Sequence, residues 1–86
     1  MNNNDWLMGR KSTLKYNFTV LIEQDEDGYY VATVPALKSC YTQAKTFEEL
    51  YPRITEVIEL CLEEEKPVPM KFIGLQQIEV GAYKTL

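Results

Sequence analysis

The chain changes its hydrophobic rhythm several times, and each change marks an element. From Tyr16 onward, Phe18, Val20 and Ile22 alternate with Asn17, Thr19, Leu21 and Glu23, the period-2 pattern of a strand with one face better buried. Asp25-Glu26-Asp27-Gly28 interrupts the alternation. An Asp-Gly pair between β-rich runs is a strong hairpin signal, because glycine takes the positive φ that tight or bulged turns require. The returning strand is Tyr29 to Val34, with Tyr30, Ala32 and Val34 on one face and Tyr29, Val31 and Thr33 on the other. Pro35 ends regular pairing by removing a donor. After Ala36-Leu37-Lys38-Ser39, the stretch Cys40 to Ala44 predicts a short third strand.

Thr46-Phe47-Glu48-Glu49 has the spacing of a capping box and predicts a helix start. Leu50, Ile54, Val57, Ile58 and Cys61 then fall on one stripe at helical spacing, while Arg53, Glu56, Glu59, Glu63 and Glu64 fall on the wet side. Pro52 lacks an N–H and crowds the carbonyl of Glu48, so a kink or tightened first turn is expected there. Negative charge at Glu63-Glu64-Glu65 opposes the helix dipole, and Lys66-Pro67-Val68-Pro69 demands extended backbone, so the helix should end near Glu64. A last β-segment is predicted within Phe72 to Val80, with Ile78 and Val80 on one face and Gly74 marking a bulge.

The element order β-β-β-α-β predicts a single α+β domain, with one helix packed on one face of a mainly antiparallel sheet. Residues 16–80 form this domain. Residues 1–15 read as a flexible N-terminal arm, polar and unperiodic apart from Trp6-Leu7-Met8, and residues 81–86 as a frayed tail. One helix cannot cover a four-stranded sheet completely. Apolar residues such as Leu21, Tyr29 and Val31 should therefore stay partly exposed on the open side, where self-association or a partner is expected.

Composition narrows the function. Eighty-six residues, 45% of them hydrophobic, suffice for one small core. A net charge of −4 is the wrong sign for general attraction to phosphate backbones and the right sign for a basic protein partner. The chain has no histidine, the residue most used for acid–base work near neutral pH and the commonest metal ligand. Asp25, Glu26 and Asp27 are consecutive in one turn and read as a solvated turn, not a metal site; Glu63-Glu64-Glu65 reads as a solvated helix end. Cys40 and Cys61 lie far apart, without metal-ligand spacing, and both read as reduced structural residues, Cys61 within the core. No apolar run is long enough to span a bilayer, and no secretory leader is evident. The expectation is a non-enzymatic, cytoplasmic protein with no cofactor, metal or catalytic residue.

The run Phe18 to Pro35, then Cys40-Tyr41-Thr42-Gln43 and Thr46-Phe47-Glu48-Glu49, resembles the HicB antitoxin family. The helix ending Ile58-Glu59-Leu60-Cys61-Leu62-Glu63, and Phe72-Ile73-Gly74-Leu75 through Ile78-Glu79-Val80, extend the resemblance over residues 16–80. Each motif alone is ordinary turn or capping chemistry; their order and spacing carry the match. The resemblance implies a partial RNase H-like fold and a role in neutralising HicA, a small basic mRNA-cleaving toxin, by masking its RNA-binding and active site. It also implies a homodimer or higher homo-oligomer. Family antitoxins often carry a C-terminal DNA-binding domain; the 86 residues leave no room for one, so direct DNA binding is not expected. The sequence departs from the family at Lys38-Ser39-Cys40, where a Pro-Gly-Cys-like turn is common, and at Ala44, where glycine is frequent.

For toxin binding, the candidate residues are the acids of the hairpin, Asp25, Glu26 and Asp27, those of the helix, Glu48, Glu56 and Glu59, and the aromatic anchors Tyr29, Tyr30 and Tyr41. Acidic contacts govern encounter and specificity, whereas aromatic anchors supply more of the affinity. Two other readings fit the same residues. One is a solitary HicB-like oligomeric interaction domain without a toxin. The other is weak RNA binding on a platform of Tyr29, Tyr30 and Tyr41, which lacks a basic groove beside it.

Overall fold

The computed structural model describes residues 15–84. The expected N-terminal arm, apart from Lys15, and the end of the expected frayed tail, residues 85–86, lie outside the described residues. Three short strands, β1 (Leu21–Gln24), β2 (Tyr30–Thr33) and β3 (Tyr41–Ala44), form an antiparallel sheet in the order β1-β2-β3, followed by helix α1 (Phe47–Leu62). The chain has an α+β fold.

Register decides which residues meet the helix. Ile22 pairs with Ala32 and Ala32 with Thr42; Gln24 pairs with Tyr30 and Tyr30 with Ala44. These rows lie on the helix-covered face, because partners directly opposite one another share a face of the pleat. The core accordingly consists of Ala32, Val34, Leu37, Cys40, Ala44, Leu50 and Ile54, with Phe18, Val20, Tyr30, Val57, Ile58 and Cys61 packed around it. Ala32 and Ala44 are small where the helix crosses the sheet, and both are buried. At position 44 the methyl group therefore serves as packing surface.

Helix α1 begins where the capping pattern places it: the Thr46 hydroxyl accepts from the Glu49 N–H at 3.2 Å. The helix runs through Pro52 without interruption. The donor that Pro52 lacks would have served the carbonyl of Glu48, an exposed residue whose carbonyl can turn to water. One residue earlier along the helix, the Tyr51 carbonyl accepts an extra bond from the Thr55 hydroxyl at 2.9 Å. Past Leu62 the chain tightens, with Glu63, Glu64 and Glu65 N–H groups all donating back to the last turn.

Two expectations are corrected. Glu65 is not a solvated residue at the helix end: it is half-buried, and its carboxylate accepts the Lys38 N–H at 2.9 Å, tying the end of α1 to the β2–β3 connection. The segment Phe72 to Val80 is not a strand of this sheet. Among the described residues it pairs with nothing, and residues 68–84 are exposed throughout. A strand needs a partner edge as well as a pattern, and the nearby Val68 N–H is instead held by the Ala36 carbonyl at 2.9 Å. No helix of the described residues is long and apolar enough to cross a membrane.

Candidate functional site

The hairpin tip is built by Asp25. Its carboxylate accepts from the N–H groups of Asp27 (3.0 Å) and Tyr29 (2.9 Å). Its backbone N–H donates to the Tyr29 carbonyl, and its carbonyl accepts from the Gly28 N–H. Gly28 sits at φ +88, which closes a three-residue loop with a left-handed glycine. Asp25 thus shapes the turn, while Glu26 and Asp27 stand exposed at the tip and leave their charges for solvent or a partner.

The uncovered face of the sheet carries two rows, Leu21–Thr33–Tyr41 and Glu23–Val31–Gln43. Tyr41 is 65% exposed, and Leu21, Val31 and Thr33 are half-buried. Tyr29, half-buried, lies at the hairpin end of this region. Tyr30 is on the opposite face, edge-on to Phe47 with ring centroids 5.8 Å apart. The three tyrosines named from sequence therefore do not form one platform. Tyr30 closes the helix-covered side, and only Tyr29 and Tyr41 belong with the open side.

Glu48, Glu56 and Glu59 are exposed on the outer surface of α1, across the sheet from Tyr41. The nine candidate residues thus divide into a hairpin-and-open-face group (Asp25, Glu26, Asp27, Tyr29, Tyr41), a helix group (Glu48, Glu56, Glu59), and Tyr30 between the layers. Among the described residues, no three His, Cys, Asp or Glu side chains gather as a metal-ligand group.

Cys40 is 1% exposed. Burial, a hydrogen bond with Cys61, and the charge of Cys61 and Glu65 push its thiol up to about 12. A thiol held protonated in this way is a packing group, since only the thiolate is nucleophilic.

A feature not anticipated from sequence lies between β1 and α1. The helix crosses β3 and β2 and stops short of β1. An apolar trough of about 300 Å³ remains, lined on one wall by Phe18, Val20 and Ile22 and on the other by Phe47, Tyr51 and Ile58. Phe47 and Tyr51 are 56% and 76% exposed. The signal was present in the sequence: Phe47, Tyr51 and Ile58 fall beside the Leu50–Ile54–Val57 stripe, making the apolar sector of the helix wider than one sheet contact needs.

Against this geometry, comparison with known proteins supplies kinship. The UPF0150 protein ssr1258 of Synechocystis sp. is 55% identical over 67 residues, which span 77% of this chain and 97% of that protein. The chain belongs to the UPF0150 family. A UPF0150 protein of Archaeoglobus fulgidus is likewise 55% identical over 64 residues, 73% of this chain and 93% of the relative. The UPF0150 protein ssr1765 of Synechocystis sp. is 44% identical over 69 residues, 76% and 87% of the two chains. No family model matches the chain. The UPF0150 relatives are named for their family and not for an activity.

Proposed function

We propose that this UPF0150 protein is a non-catalytic, antitoxin-like binding module that holds a small basic HicA-type mRNA-cleaving toxin inactive by covering its RNA-binding and active site. The observation that carries the reading is the charge of its folded body: residues 16–65 hold eleven acidic and three basic side chains. The exposed acids Glu26 and Asp27 stand at the hairpin tip, beside an uncovered sheet face with Tyr41 at its surface. A ribonuclease must present cations to RNA phosphates, and carboxylates on a rigid hairpin compete for those cations. Tyr29 and Tyr41 supply apolar contact area next to the charges. The HicB-like order of motifs over residues 16–80 supports this class of partner, and a role against an mRNA-cleaving protein implies a cytoplasmic location.

The test is affinity capture of the tagged chain from its native lysate, with mass spectrometry of what co-elutes and a ribonuclease assay of the complex. The expected result is a small basic protein whose RNA cleavage is suppressed until the two are separated. Recovery of the bait alone, or of a partner whose cleavage is unaffected, overturns the reading. With the partner in hand, Asp27→Lys combined with Tyr41→Ala should weaken binding by more than about tenfold while leaving thermal unfolding unchanged.

A further inference from the structure

Past Val68, residues 69–84 join no strand or helix among the described residues, yet they are not composed like a linker. Met70, Phe72, Ile73, Leu75, Ile78 and Val80 are 60–83% exposed, an apolar load that a chain does not normally leave in water. Phe72, Ile78 and Val80 stand at even positions and so share one face when the backbone is extended. Glu65 bonded to Lys38, and Val68 bonded to Ala36, fix where this arm leaves the body.

The body offers a place of matching shape. Of the two edges of the sheet, that of β3 is engaged: Arg53 donates to the Gln43 carbonyl at 2.9 Å. No hydrogen bond among the described residues reaches the outer edge of β1. Neither proline nor lysine guards Leu21–Gln24 against strand addition. The apolar trough lies alongside this edge, with Val20 and Ile22 as its near wall. A strand added to β1 would direct alternate side chains into the trough while its backbone completes the ladder. Charge agrees: residues 68–84 hold two basic side chains and one acidic, against eleven acidic and three basic in residues 16–65.

We propose that residues 68–84 form an exchange arm that adds as a strand to the free edge of β1 on a second copy of this chain, seating Ile78 and Val80 in that copy's trough between β1 and α1. Reciprocal exchange makes the contact two-fold and closed. Two arms share the burial, so each arm with its receiving trough needs to contribute only about 800 Å² to reach a stable interface. The exchange also enlarges the core: among the described residues the seven buried hydrophobic ones include two alanines, and small single cores are marginal by themselves.

The experiment uses the full chain. Light scattering coupled to size exclusion should give a dimer for the wild type. Isotope-filtered NOESY on a mixture of ¹³C-labelled and unlabelled copies should show intermolecular contacts between Ile78 and the methyl groups of Val20 and Ile22. Ile78→Asp combined with Val80→Asp should raise the dimer dissociation constant more than about 100-fold, because two apolar anchors become charges facing an apolar groove. Four results overturn the proposal: a monomeric wild type, a dimer whose intermolecular contacts exclude the arm, contacts from Ile78 to β1 within its own copy, or the trough filled by Trp6-Leu7-Met8. The labelled-mixture result needs no substitution and so does not depend on how the double variant folds.

Discussion

Ser39 sits at φ +51, in the left-handed region that a residue with a Cβ enters only at a cost. The β2–β3 connection needs a positive φ at this position whichever residue fills it. Ser39→Gly should therefore stabilise the fold by about 0.5–1 kcal/mol, after the greater freedom of glycine in the unfolded chain offsets part of the strain relief; urea unfolding measures it. Asp25 and Asp27 look equivalent in sequence but differ in role. Asp25→Ala removes two bonds that shape the turn and should cost about 1 kcal/mol, whereas Asp27→Ala should leave the unfolding midpoint where it is. Cys40 titrates far above its ordinary value of 9.0, so the fold favours its protonated form. The stabilisation this provides is complete below about pH 9 and is lost as pH rises toward 12. Cys40 should resist alkylation at pH 8 in the folded protein and react once urea unfolds it.

At the scale of elements, the helix was legible because its signals are local: a threonine cap, a glutamate three residues on, and an apolar stripe of constant pitch. Its packing partner was not. The stripe named Leu50, Ile54, Val57 and Ile58 as equals, but Leu50 and Ile54 are buried at 2% and 5% exposure while Val57 and Ile58 are half-buried. The difference comes from where α1 crosses the sheet, over β3 and β2 and short of β1. Leu50→Ala should accordingly cost about 2–4 kcal/mol by opening a cavity, and Ile58→Ala distinctly less; paired chemical denaturation curves separate the two. The last β-segment shows the opposite limit. Its alternation is real, but alternation states only that a segment can extend and present one face, and pairing depends on which edge is open and within reach.

For the molecule as a whole, the arrangement leaves two unlike surfaces. One is the uncovered sheet face with Tyr41 and the acidic hairpin, suited to a basic partner. The other is the β1 edge with its trough, suited to an apolar arm. They lie on different sides of the sheet, so exchange of arms would leave the hairpin and open face accessible in both copies. Binding through the first surface should weaken steeply as salt screens exposed charge, while association through the second should weaken far less, because it rests mainly on apolar burial. Measuring both equilibria at low and high salt distinguishes the two surfaces directly.

The hairpin, the helix and its cap, the α+β class and the acidic balance follow from sequence because each depends on residues a few positions apart or on composition alone. The tertiary structure decided what depends on residues far apart in the chain: Tyr30 beneath Phe47, Glu65 on the Lys38 amide, Cys40 against Cys61, and the helix placed so that β1 keeps an open edge. These contacts follow from strand register and from the angle at which one helix meets three strands. A shift of one residue in register would send every side chain of a strand to the other face, and no short-range pattern records that choice.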